Sequence, residues 1–97
     1  MAAAYVVGHV TVKDSAKWTQ YRSQVPATLT EWGAELLLRG KLHAVLGGSH
    51  ERSDVVVLRF PSVEAATRWH ESPAYQALIP LRREAAEVDL ILYEGSG

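Results

Sequence analysis

The spacing of hydrophobic positions changes several times along this chain, and each change marks an element. "AYVVGHVTV" (4–12) is dense in β-branched residues and reads as a first strand. Side chains alternate with period two, so Tyr5, Val7, His9 and Thr11 share one face and Val6, Gly8, Val10 and Val12 the other. Neither face looks solvated, so both are expected to be covered. Asp14 can cap a helix by accepting from its free N–H groups. Trp18, Tyr21, Val25, Leu29 and Trp32 then recur at three- and four-residue steps, one face of a helix. Pro26 lacks a backbone donor and predicts a kink or break near Gln24. Gly33 suits a left-handed helix end.

"AELLLRGKLHAVLGG" (34–48) predicts a second strand with a bulge at Gly40. "GGSHERSD" is turn material, and "DVVVLRF" (54–60) is a short apolar third strand. Ser62 is expected to cap a second helix with Val63, Ala66 and Trp69 turned inward. Pro73 sits where a new helical piece can start without losing a hydrogen bond. Pro80 is expected to bend that piece over the sheet. "VDLILYEG" (88–95) closes as a fourth strand. The order is βαββαβ, an α+β chain. Two right-handed crossovers on a four-stranded antiparallel sheet give the ferredoxin-like arrangement, with the helices on one face. The other face carries Val, Leu, Ile or Tyr on every strand and has no third layer to cover it. A second copy, joined sheet to sheet in a homodimer, would cover it with two-fold symmetry.

Composition narrows the functional classes. The chain has 97 residues, enough for one domain with one core. Ten Lys and Arg against eleven Asp and Glu leave a net charge of -1, with none of the clustered positive charge that binds nucleic acid or an anionic membrane. Cysteine is absent, which removes disulfides, thiolate nucleophiles and Cys-ligated metals. The opening "MAAAYVVGHV" resembles neither a signal peptide nor a membrane span, so a cytoplasmic location is expected. His9, His43, His50 and His70 form no ligand motif, and neither a metal nor a cofactor is expected.

The stretches "YVVGHVTVKD", "EWGAELLLRG", "VVVLRFPSVEAATRWHESPAYQALIPLRREAA" and "LILYEG" carry a family likeness over residues 5–95. A strand ending Phe-Pro-Ser, then a Trp, Ser-Pro-x-Tyr-Gln and an Arg resembles the domain-of-unknown-function family 1330, of the dimeric α+β barrel superfamily. The resemblance implies the ferredoxin-like fold and a face-to-face sheet dimer. It implies no single activity, because the wider superfamily holds cofactor-free monooxygenases, lactone isomerases, polyketide cyclases, haem enzymes and plain binding proteins.

Arg82 shares a helix face with Tyr75, Leu78 and Ile79, an apolar setting for a cation. Two roles fit it. It can bind a carboxylate or enolate through parallel N–H donors, or it can pair with Glu35 or Asp89, or snorkel to solvent. His9, mid-strand among valines, can serve as a general base near pH 7 or as a hydrogen-bonded residue at the sheet face. The resemblance favours a site role for His9 and for Arg39, whose side chain a bulge at Gly40 could turn into a pocket. Trp18, Tyr21, Trp32 and Trp69 are core residues or pocket walls, Tyr75 is expected to orient a substrate, and His43 shares Arg39's face only without an intervening bulge. Together they describe a small-molecule site between helix and sheet. In one reading a cofactor-independent isomerase, cyclase or monooxygenase acts there on a small anionic or carbonyl metabolite, with His9 as base and Arg82 and Arg39 stabilising negative charge. In the other, a non-catalytic homodimer holds a ligand.

Overall fold

Residues 2–96 are described by a computed structural model. The first strand, β1 (Ala4–Val12), is central, pairing antiparallel with both β3 (Asp54–Phe60) and β4 (Ala86–Glu94). The strand β2 (Glu35–Lys41) lies outside β3, giving the order β2-β3-β1-β4. This is the ferredoxin-like α+β fold read from the sequence. Its helices are α1 (Ser15–Leu29), α2 (Val63–Glu71), α3 (Pro73–Gln76) and α4 (Ile79–Ala85).

The helix starts follow capping chemistry. Asp14 accepts from the Lys17 N–H at 3.0 Å, and Ser62 accepts from the Ala65 N–H at 3.0 Å. Gly33 ends the turn after α1 at φ 67°, a conformation that costs an L side chain energy. The helix α1 runs through Pro26 to Leu29, so the expected break near Gln24 is absent. Pro80 also differs from expectation. The chain leaves helical hydrogen bonding between α3 and α4, and Pro80 lies at the first turn of α4, starting a helix there instead of bending one. Val63, expected inside, is exposed, whereas Ala66 and Trp69 are buried.

The second strand is shorter than its apolar sequence suggests: it stops at Lys41, and residues 42–53 form a loop. The irregularity lies at Leu37 instead of Gly40. Leu36 pairs with Leu58 and Leu38 with Val57, leaving Leu37 as the extra residue. One extra residue reverses the facing of everything after it. Arg39 therefore pairs with Val56, whose side chain points to the same face as Gly8. Without the bulge, Arg39 would stand opposite Val55 on the other face.

Ala4, Val6, Leu58 and Phe60 meet Tyr21, Leu29, Ala66, Trp69, Tyr75 and Leu78 in the core between sheet and helices. A Cβ on Gly8 would lie 2.8 Å from Val56 Cγ1 and 3.4 Å from Leu90 Cδ1, so glycine lets its neighbours close over β1. Among the described residues the opposite sheet face carries no helix, and they form a slab 33 × 33 × 16 Å. By register, Tyr5, Val7 and His9 of β1, Val55 and Val57 of β3, Leu38 of β2, and Ile91 and Tyr93 of β4 belong to that open face. Among the described residues, no helix is long and apolar enough to cross a membrane.

Candidate functional site

Between α1 and the β2–β3 side of the sheet lies a cavity of about 220 Å³. Its walls are mainly apolar: Trp18, Val25 and Leu29 from α1, Leu36, Val56 and Leu58 from the sheet, and Trp69 from α2. These positions line it for two reasons. The one-sided spacing in α1 turns Trp18, Tyr21, Val25 and Leu29 toward the sheet. The bulge at Leu37 then directs β2 so that both Leu36 and Arg39 contribute. Arg22, Arg39, Glu35 and Asp54 are the charged lining residues. Glu35 is held by Arg59 at 3.3 Å, and Asp54 accepts from Ser53 Oγ at 2.7 Å. Among the described residues, neither Arg22 nor Arg39 has a carboxylate within ion-pair distance. The cavity therefore combines an apolar interior with two unpaired, solvent-exposed guanidinium groups, the usual composition of a site for a small organic ligand.

A chain of hydroxyl groups leads from the cavity to Arg82. Tyr21 lines the cavity, and its hydroxyl lies 2.8 Å from that of Tyr75. Arg82 Nη1 donates to the Tyr75 oxygen at 2.8 Å, and the guanidinium carbon lies 6.0 Å from the Tyr75 ring centre. Burial raises the Tyr21 pKa far above the ordinary phenol value, and the adjoining Tyr75 hydroxyl adds to the shift. Tyr21 is thus a neutral hydroxyl at physiological pH. Trp69 packs 4.2 Å from the Tyr75 ring centre, and its indole N–H donates to Thr28 Oγ1 at 2.9 Å. That donor is already satisfied and serves the core.

The structure brings only some of the sequence candidates together. Arg39 and Trp69 line the cavity directly. Tyr75 is sealed in the core with no solvent exposure and touches two lining residues, Tyr21 and Trp69. Arg82 is half-buried and lies one residue further out. Its expected carboxylate partners are taken, Glu35 by Arg59 and Asp89 by Arg52. His9 occupies the open face of the sheet, with its ring 5.0 Å from that of His50. The sheet separates it from Arg82, so the expected meeting of His9 with Arg82 in one cavity does not occur. His43 is exposed in the loop after β2 and does not line the cavity.

Tyr21, read from the sequence as core or pocket wall, lines the cavity, and so does Arg22, which the sequence did not single out. Tyr21 has the spacing of a core residue, and Arg22 that of a solvated one. The available signal was the phenol on an otherwise apolar stripe, because a buried Tyr hydroxyl needs a partner. A second cleft of about 370 Å³ lies between α2 and the β1–β4 side, with His70 and Glu71 among its lining residues. It lacks an arginine and a polar group reaching in from the core.

The sheet order, one-sided helices and open apolar face define the subunit fold of the dimeric α+β barrel class. The family model described as Domain of unknown function (DUF1330) matches residues 3–96, and the chain belongs to that family. No curated protein matches the sequence. Among solved structures, a protein of unknown function from Rhodopseudomonas palustris superposes with TM-score 0.82 at 16% identity, over 99% of this chain and 84% of that one. SnoaB, a cofactor-independent oxygenase from Streptomyces nogalater, gives TM-score 0.72 at 13% identity, over 100% and 96%. A dimeric protein of unknown function with a ferredoxin-like fold from Bacteroides fragilis gives 0.67 at 12%, over 96% of each chain. At these identities the likeness establishes the fold.

Proposed function

We propose that this protein is a homodimer that binds a small, largely apolar organic acid in the cavity between α1 and the sheet. The observation that carries this reading is an apolar cavity edged by Arg22 and Arg39, neither of which has a carboxylate partner among the described residues. A guanidinium offers a carboxylate two parallel donors, and the apolar body of the ligand loses water against Trp18, Val25 and Leu36. The open sheet face supports the dimer, since a second copy would cover its valines, Ile91 and Tyr93. The structural neighbour from Bacteroides fragilis is itself described as dimeric.

The likeness to a cofactor-independent oxygenase favours a catalytic version of this reading. Such chemistry would need a base other than His9, because His9 lies across the sheet from Tyr21, Tyr75 and Arg82. Ligand binding is therefore the primary reading. Titration with phenylacetate, followed by protein NMR, tests it. Expected shifts fall on Val25, Leu36 and Val56, and Arg39→Met weakens binding at least tenfold while Arg83→Met, on the exposed side of α4, does not. Absence of shifts at millimolar phenylacetate, or equal weakening by both variants, would overturn it.

A further inference from the structure

The hydrogen-bond directions in the Tyr21–Tyr75–Arg82 chain are determined by chemistry. Arginine has no acceptor, so the 2.8 Å contact requires Arg82 to donate and the Tyr75 oxygen to accept. Tyr75 is fully buried, and among the described residues its hydroxyl meets only Arg82 and Tyr21. If Tyr21 donated to Tyr75, the Tyr75 proton would be buried without an acceptor, an arrangement that folded proteins avoid. Tyr75 therefore donates to the Tyr21 oxygen at 2.8 Å. The Tyr21 proton is left over. No described side chain accepts it, and Tyr21 lines the cavity.

We propose that the Tyr21 hydroxyl is a specificity-determining donor for a carbonyl oxygen of the bound molecule, and that Tyr75 and Arg82 hold its proton toward the cavity. The proposal rests on the binding reading above and extends it from an apolar acid to one that also carries a keto group. The cationic end of the chain strengthens the donor, because each hydrogen bond polarises the next. Tyr21 also keeps its proton: its pKa is raised by burial, so the group remains a donor instead of becoming a phenolate. Arg82 thereby acts on the cavity without entering it, as a positioning residue. A donor built to meet an oxygen selects strongly against a molecule lacking one, since the unmet polar group is costly.

Acetophenone and α-methylstyrene test this directly, because they share a shape and differ in a carbonyl oxygen against a methylene. Both are small enough for the cavity, given that a 150 Å³ protein cavity accepts benzene. Titrations by NMR should show the native protein preferring acetophenone by about tenfold, the scale of one hydrogen bond. Tyr21→Phe should abolish that preference, the two probes then binding with equal affinity. Tyr75→Phe should reduce the preference part-way, and Arg82→Met likewise. A preference that survives Tyr21→Phe, or a native protein that binds both probes alike, would overturn the role of Tyr21 and leave the binding reading standing. If neither probe nor phenylacetate shifts the cavity resonances, the binding reading fails with it. Should Tyr21→Phe fold poorly, the Tyr75→Phe and Arg82→Met preferences decide: an unchanged preference in both overturns the proposal.

Discussion

The two faces of the sheet are built from similar residues and put to different uses. On the helix face, Val6, Leu58 and Phe60 are buried against Trp69, Tyr21 and Leu78, and the polar atoms there find partners. Trp69 donates to Thr28, and Tyr75 links Tyr21 to Arg82. On the open face, Val7, Val55, Val57 and Ile91 form an apolar centre with charge at both ends, the Arg59–Glu35 pair lying beside Tyr5 at one of them. At the other end Arg52 bonds Glu87 at 2.7 Å and Asp89 at 3.3 Å, close to His9 and Thr11. Thus the closed face contains its own packing partners, while the open one lacks a cover for its apolar centre. A cavity with a directed donor needs the first kind of surface, and association needs the second.

The sharpest way to break the closed face is Trp69→Ala. Trp69 is almost completely buried and packs on Phe60 and Tyr75, so its loss should cost about 3–5 kcal/mol in chemical denaturation. The matching change on the open face is Val57→Asp. Its expected readout is association: sedimentation equilibrium should move from twice the 10.7 kDa chain mass to the mass of one chain. The dependence of melting on protein concentration should disappear with it. A native protein sedimenting as a monomer at micromolar concentration would refute the role given to that face.

Gly8→Ala probes the strand that belongs to both faces. Its side chain would point to the helix face and press on Val56 Cγ1, so about 1–3 kcal/mol should be lost without a change in oligomeric mass. Arg82→Met should be milder. Arg82 meets a tyrosine hydroxyl instead of a buried carboxylate, so the loss should stay within about 0.5–1.5 kcal/mol, the scale of one hydrogen bond. A loss of several kcal/mol would reveal a carboxylate partner. Pro80→Ala should have the smallest effect, about 0.5 kcal/mol or less. Proline at the first turn of α4 removes no helical hydrogen bond and restrains mainly the unfolded chain. Melting temperatures of the two proteins check it.

Short-range chemistry made much of this protein legible from its residues. Asp14 and Ser62 had to cap because their side chains accept from N–H groups three residues on. The bounds of β1 and β3 followed from β-branched runs, and Gly33 from the steric cost of its conformation. The one-sided stripe in α1 placed Trp18, Tyr21, Val25 and Leu29 toward the sheet before any partner was known. In the structure Arg39 and Trp69 line the space between helix and sheet, and Arg82 donates to Tyr75, a residue on its own helix face in the sequence. Other features depended on contacts distant in sequence. The one-residue slip at Leu37 is a property of pairing with β3, and it alone decides the face that Arg39 occupies. His9 is separated from Arg82 because β1 lies in the middle of the sheet, where adjacent residues face opposite layers. The donor at Tyr21 depends on a hydroxyl contact across 54 residues, and no spacing along one helix encodes it. Periodicity assigns a side chain to a face. Only the assembled layers decide which partner waits there, and therefore which proton is left over.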